Sequence, residues 1–257
     1  MNTTLYSLKV SCFDTREEMG RAAAEAVAET LAELTRQKDR VRVVFAAAPS
    51  QNEFLRALWH DARVDFSRIE AFHMDEYVGL REDAPQGFGN FLKERIFDRA
   101  PFGPVHYLCG RAEDPASECA RYAALLREAP IDVVCLGIGE NGHIAFNDPA
   151  VADFEDKAWV KRVALDEVCR MQQVHDGCFD DLAQVPTHAL TLTLPALLSA
   201  KHHFCIVPAL TKAEAVRRAL IGPVGAQCPA SGLRLCPDAH LFLDAQSASL
   251  LPGRVCR

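Results

Sequence analysis

The residues best equipped for chemistry lie in one string, LGIGENGHIAFNDP, from Leu136 to Pro149. An apolar run, IDVVCLG (131–137), leads into it, and glycines stand at 137, 139 and 142 with His143 directly after the last. Asp148 follows five residues later. Histidine exchanges protons near neutral pH, and glycine lets a backbone adopt positive φ and approach a ligand closely. Asn141 and Asp148 are near enough in sequence to orient the ring, as a third group orients a catalytic base. A core histidine on an apolar face is the ordinary alternative, and a glycine-rich turn is an unusual place for one.

Three further stretches carry candidate groups. Asp75 ends FHMDEY; it is either a solvated turn acid or a carboxylate at the mouth of an apolar strand, where desolvation lifts its pKa toward that of a general base. Lys212 follows Thr211, and Thr211 with Glu214 resembles a capping box, which places a cation in the first turn of a helix. The dipole disfavours that cation unless an anion sits between it and the helix N-terminus. In AAAPSQNE (46–53), Ser50 with Glu53 also fits a capping box, at the place where a phosphate-cradling loop would stand. No group of Cys, His or carboxylate residues has metal-ligand spacing.

These candidates need a scaffold. Apolar runs at 41–47, 68–74, 131–137, 202–209 and 240–244 read as buried strands. Between them, DTREEMGRAAAEAVAETLAELTRQ, with Thr15 and Glu18 as a capping box, reads as a helix, as do SQNEFLRALWHD, a segment near 90–98 and TKAEAVRRAL. HALTLTLPALLSA is apolar but ambiguous. The alternation predicts an α/β fold: a doubly wound, mostly parallel sheet with helices on both faces, in a single domain over 1–257. Such sheets bind ligands at the carboxyl ends of their strands. Four strands there are followed by AAAPSQ, Asp75, the His143 string and Lys212.

Composition narrows the classes. The chain has 257 residues, 49 % hydrophobic and 25 % charged, as expected of a soluble globular protein. No apolar run approaches the ~18 residues of a membrane span, and MNTTLYSLKVSCFDTREE lacks the pattern of a signal peptide. A formal charge of -7 without a basic cluster argues against a nucleic-acid partner. Ten cysteines, none in a CxxC pair, read as buried thiols in a reducing cytoplasm.

FHMDEYVGL (72–80) and LGIGENGHIAFNDP (136–149) closely resemble the two signature motifs of the glucosamine-6-phosphate deaminase (isomerase) family. VPTHALTLTLPALLSA, TKAEAVRRAL and PASGLRLCPDAHLFLDAQSASLL resemble its later segments in the same order, so the resemblance spans nearly the whole chain. It implies a modified Rossmann-like α/β domain that converts an amino-sugar phosphate, glucosamine 6-phosphate, to fructose 6-phosphate and ammonia without a cofactor. It implies that Asp75 moves a proton between C2 and C1, that His143 assists ring opening with Asn141 and Asp148 behind it, and that Lys212 holds the phosphate. Ala47, Ala48 and Ser50 fall on the phosphate loop, where the family has two glycines and this chain has Pro49 and Glu53 nearby. The family's phosphate-binding arginine falls on Arg170 or, without gaps, on Gln172. Asp148 replaces a usual Glu, and 150–165 lacks the pattern of allosterically regulated members. Two alternatives share the fold: a 6-phosphogluconolactonase, whose motif differs at AFNDP, and a non-catalytic sugar-phosphate sensor. The expected partner is the small molecule alone, with no membrane and with a homo-oligomer left open.

Overall fold

In the computed structural model, which describes residues 2–5 and 7–252, the central strands of the main sheet bury both faces. β3 (Val41–Phe45), β4 (Ile69–His73), β7 (Val133–Leu136), β10 (His202–Val207) and β11 (Ala239–Asp244) run parallel to one another and to β2 (Leu8–Phe13) and β6 (Val105–His106). β1 (Asn2–Leu5) adds an antiparallel edge to β2, giving the order β1-β2-β11-β10-β7-β3-β4-β6.

Successive side chains alternate between two apolar layers, as the two-residue period of a strand requires. Val133 and Cys135 of β7 pack with the faces of α1 (Arg16–Gln37) and α2 (Asn52–Trp59). Val134 and Leu136 pack with α4 (Pro115–Arg127) and α7 (Ala213–Ile221) on the other side. Helices therefore cover both faces of the sheet. The α1 capping box is present: the Glu18 N–H donates to Thr15 Oγ1 at 3.1 Å, and the Thr15 N–H to Glu18 Oε2 at 3.3 Å.

Some expectations are corrected and others are filled in. A second, three-stranded antiparallel sheet, which periodicity did not predict, comprises β5 (Asp75–Tyr77), β9 (His188–Leu192) and β8 (Val160–Ala164). The ambiguous apolar piece supplies β9 and then α6 (Leu194–Leu198), which Thr193 caps. Neither Ser50 nor Thr211 caps a helix: Pro49–Gln51 and Leu210–Lys212 are 3-10 turns without side-chain caps, and Pro49 at the start fixes the tighter turn. The segment near 90–98 is α3 (Phe88–Leu92) running into a π turn, Lys93–Phe97. The thiols are not all buried and free either, since Cys109 is exposed, Cys178 half-buried and Cys12 disulfide-bonded.

Candidate active site

β3, β4, β7 and β10 deliver four chain segments to one rim of the main sheet, and β5 follows directly after β4. Ala46, Ala47, Ala48, Ser50, Asp75, Gly137, Gly139, His143, Gln172, Gln173 and Lys212 all line one narrow cleft of about 70 Å³ there. A roomier hollow of about 620 Å³ between α4 and β8 is lined by no buried polar side chain.

Asp75 sits on the first residue of β5, paired with Thr191 of β9, so the small sheet fixes it. It is 7 % exposed, and burial, reinforced by the neighbouring Glu76 carboxylate, pushes its carboxyl well above the usual range. Glu76 itself is spoken for: it accepts from the N–H groups of Tyr77, Phe88 and Gly89 at 2.9, 3.1 and 2.9 Å. It thereby ties the 84–92 segment to β5.

Opposite, the chain leaves β7 into the glycine-rich turn. His143 Nδ1 lies 2.8 Å from Asn141 Oδ1 and 2.9 Å from Asp148 Oδ1. Both neighbours are acceptors, because Asn141 Oδ1 also takes the His143 backbone N–H at 3.0 Å. Nδ1 therefore carries the hydrogen, and Nε2 is left to exchange a proton. Asn141 Nδ2 donates to Asp148 Oδ1 at 2.9 Å and to Asp166 Oδ2 at 3.1 Å. Burial opposes ionisation of Asp148, but bonds from His143 and Asn141 outweigh it and hold its carboxyl below the usual range. The glycines earn their place individually. A Cβ on Gly139 would stand 2.1 Å from the His143 ring, and Gly142 has φ +91.

α5 (Glu167–His175) closes this side, capped by Asp166 through the Cys169 N–H at 2.6 Å. Cys169 Sγ, His143 and Asp148 have donor atoms within 4.8 Å of one another. Burial, then the charges of Asp148 and Asp166, keep that thiol protonated. The ring and the carboxylate are bonded to each other, with the Cys169 thiol beside them.

The far end of the cleft is different in kind. Lys212 is 4 % exposed, and burial lowers its pKa against the opposing charges of Asp176 and Glu140. Its Nζ has no hydrogen-bond partner among the described residues. The N–H groups of Ala47 and Ala48 likewise find no acceptor there. Ser50 Oγ accepts from Gln51 Nε2 at 3.1 Å, which also bonds the Ile206 carbonyl at 3.1 Å. Glu53 does not bring its charge to the cleft, because Arg16 Nε holds it at 2.8 Å against α1. Ala209, with φ 82, turns the chain toward Lys212 and is braced by its N–H to Asp244 Oδ2 at 3.0 Å. Gln172 reaches the cleft and accepts the Glu140 N–H at 2.8 Å. Arg170 does not: its Nη2 donates to the Leu182 and Val185 carbonyls at 2.6 and 2.9 Å, outside the cleft.

Of the residues named from sequence, all but Arg170 gather here; Asn141 and Asp148 stand directly behind His143. Sequence reasoning missed Asp166, Cys169, Gln51, Asp244 and Glu140. Only Asp166 carried a usable signal, as an N-cap residue before EVCRMQQV.

A model of the glucosamine-6-phosphate isomerase/6-phosphogluconolactonase family matches residues 14–241. The chain belongs to this family. A relative from Exiguobacterium sibiricum named glucosamine-6-phosphate deaminase is 39 % identical over 199 residues, 77 % of each chain. One of the same name from Listeria innocua is 35 % identical over 211 residues, 82 % of this chain and 88 % of the other. The solved structure of a monomeric glucosamine-6-phosphate deaminase of the NagB superfamily overlays with a TM-score of 0.86 at 30 % identity, covering 94 % of this chain and 99 % of that one. A 6-phosphogluconolactonase from Thermotoga maritima overlays at 0.75 with 19 % identity, a likeness of fold alone.

Proposed function

We propose that this family member is a glucosamine-6-phosphate deaminase: an enzyme that isomerises an aldose amino-sugar phosphate to its ketose and releases ammonia. The observation that carries the reading is the pairing, across one cleft, of a buried carboxyl on β5 with a histidine whose Nδ1–H is fixed from behind. Carbon acids need a base that gives its proton back at the next carbon. A carboxyl with a raised pKa, as Asp75 has, holds that proton more readily than an ordinary one.

In this reading His143 Nε2 takes the proton of the anomeric hydroxyl and returns it to the ring oxygen, opening the sugar. Asp75 then removes the C2 proton while O1 takes a proton from the substrate's ammonium group, and Asp75 delivers its proton to C1. The C1–C2 enolamine becomes a C2 imine, water adds at C2, and ammonia leaves as the C2 carbonyl forms. Asn141, Asp148 and Asp166 keep the imidazole oriented. Lys212, the Ala47 and Ala48 N–H groups, Ser50 and Gln172 receive the phosphate. One chain supplies every cleft residue, so a homo-oligomer is not needed to complete the site. The reading carries a cytoplasmic location, where sugar phosphates are made and kept; no helix among the described residues is long and apolar enough to cross a membrane.

The test is ammonia release from glucosamine 6-phosphate, galactosamine 6-phosphate and free glucosamine, beside hydrolysis of 6-phosphogluconolactone. Ammonia from the first substrate supports the reading. Lactone hydrolysis without ammonia release would replace it.

A further inference from the structure

Two charges at the phosphate end, a buried Lys212 and a half-buried Glu140, face each other without a hydrogen bond. Lys212 Nζ and Glu140 Oε1 are both enclosed, neither has a hydrogen-bond partner among the described residues, and they stand 3.8 Å apart as an ion pair. Glu140 is held there rather than swinging free: its N–H donates to Gln172 Oε1 at 2.8 Å, and its Oε2 lies 3.4 Å from His175 Nδ1. Gln172 is neutral, and its Nε2 donates to Asp176 Oδ2 at 3.3 Å, bringing a second carboxylate close. An anion that reaches the Lys212 ammonium therefore meets one cation and, beside it, a fixed carboxylate. At such separations, away from bulk water, like charges repel several times more strongly than in solvent.

We propose that Glu140 is a specificity-determining residue that competes with the substrate's phosphate for Lys212 and so sets the KM. With no anion bound, Glu140 supplies the counter-charge that keeps a desolvated lysine in place. With phosphate bound, it weakens the hold, and the phosphorylated ketose leaves faster for the same reason. This rests on the deaminase reading for its substrate but not for its electrostatics.

Inorganic phosphate is titrated calorimetrically into the parent, Glu140→Gln and Lys212→Met, and KM is then measured for glucosamine 6-phosphate and for glucosamine. Gln keeps the shape of Glu, so fold is preserved. Glu140→Gln is expected to bind phosphate about tenfold more tightly and to lower the KM for the phosphorylated sugar by a similar factor. The KM for glucosamine should not move, and Lys212→Met should lose phosphate binding. Unchanged or weaker phosphate binding by Glu140→Gln overturns the proposal. So does a Lys212→Met protein that binds phosphate as the parent does. The titration needs no turnover. A parent that releases no ammonia thus refutes the deaminase reading while the role of Glu140 is still decided.

Discussion

The two ends of the cleft are built on opposite terms. At the proton-transfer end nearly every polar group is bonded to another part of the chain: His143 to Asn141 and Asp148, Asn141 to Asp166, and Glu76 to three backbone N–H groups. At the anion end Lys212 Nζ and two backbone N–H groups have no hydrogen-bond partner among the described residues. Groups that must exchange a proton along one line are oriented by the protein, because a misplacement of about 1 Å can cost ~10²-fold in rate. Groups that hold a charged ligand leave their bonding capacity for that ligand. The difference also separates Asp75 from Asp148, both of them buried. Asp75 faces the cleft and burial opposes its charge; Asp148 takes Asn141 Nδ2 and His143 Nδ1 on Oδ1, and its charge is favoured.

The largest effect should come from the proton-transfer end. Asp75→Asn is expected to lower kcat by about 10²–10⁴-fold. The same substitution should raise Tm at pH 7. A folded pKa above the unfolded one means that ionisation costs stability, a cost absent below about pH 4 and growing as pH rises through the folded value. Loss of activity together with loss of Tm would break the contrast with Asp148.

Next comes the anion end. Lys212→Met should raise the KM for glucosamine 6-phosphate by tenfold or more, from a charged contact of about 1.5–3 kcal/mol. It should leave glucosamine barely affected. Equal losses on both sugars would mean that Lys212 supports the fold and not the phosphate.

Asp148→Asn tests the donor-rich surroundings by stability. The pKa of Asp148 is depressed, so its contribution is present above the unfolded value near 4 and is lost as pH falls through the folded one. Urea unfolding at pH 7 should show a deficit of about 1–3 kcal/mol that shrinks toward pH 3. A deficit independent of pH would assign the loss to packing. Smallest should be Arg170→Gln, which removes two carbonyl bonds outside the cleft. A loss of about 1–2 kcal/mol in stability with KM unchanged would confirm that Arg170 serves the 182–185 segment. A raised KM would bring it back into the site.

Local chemistry was legible wherever a residue's neighbours in sequence are also its neighbours in space. The turn from Gly137 to Asp148 is such a place. Its glycines, its histidine and the two groups behind that histidine lie within twelve residues, so the relay could be read as a string. The core strands were legible because burial on both faces leaves short apolar runs such as VVF (43–45) and VVCL. The sequence alone therefore determined a parallel α/β scaffold and most of the cleft residues.

What it left undecided depends on contacts between distant segments. β5 and β8 are short strands whose partner, β9, lies beyond residue 187, so no period in either betrays the second sheet. Asp166 reaches Asn141 across 25 residues, and Asp244 braces Ala209 across 35. Arg16 draws Glu53 away from the phosphate loop across 37 residues, a reversal no local reading of AAAPSQNE could give. Between Arg170 and Gln172 the choice fell to the helix: two residues apart on α5 means roughly 200° around its axis, so one faced the cleft and the other faced away. The side of a helix that meets the cleft, and the charge that neutralises a neighbour, are set by packing, and packing is decided only when the whole chain has folded.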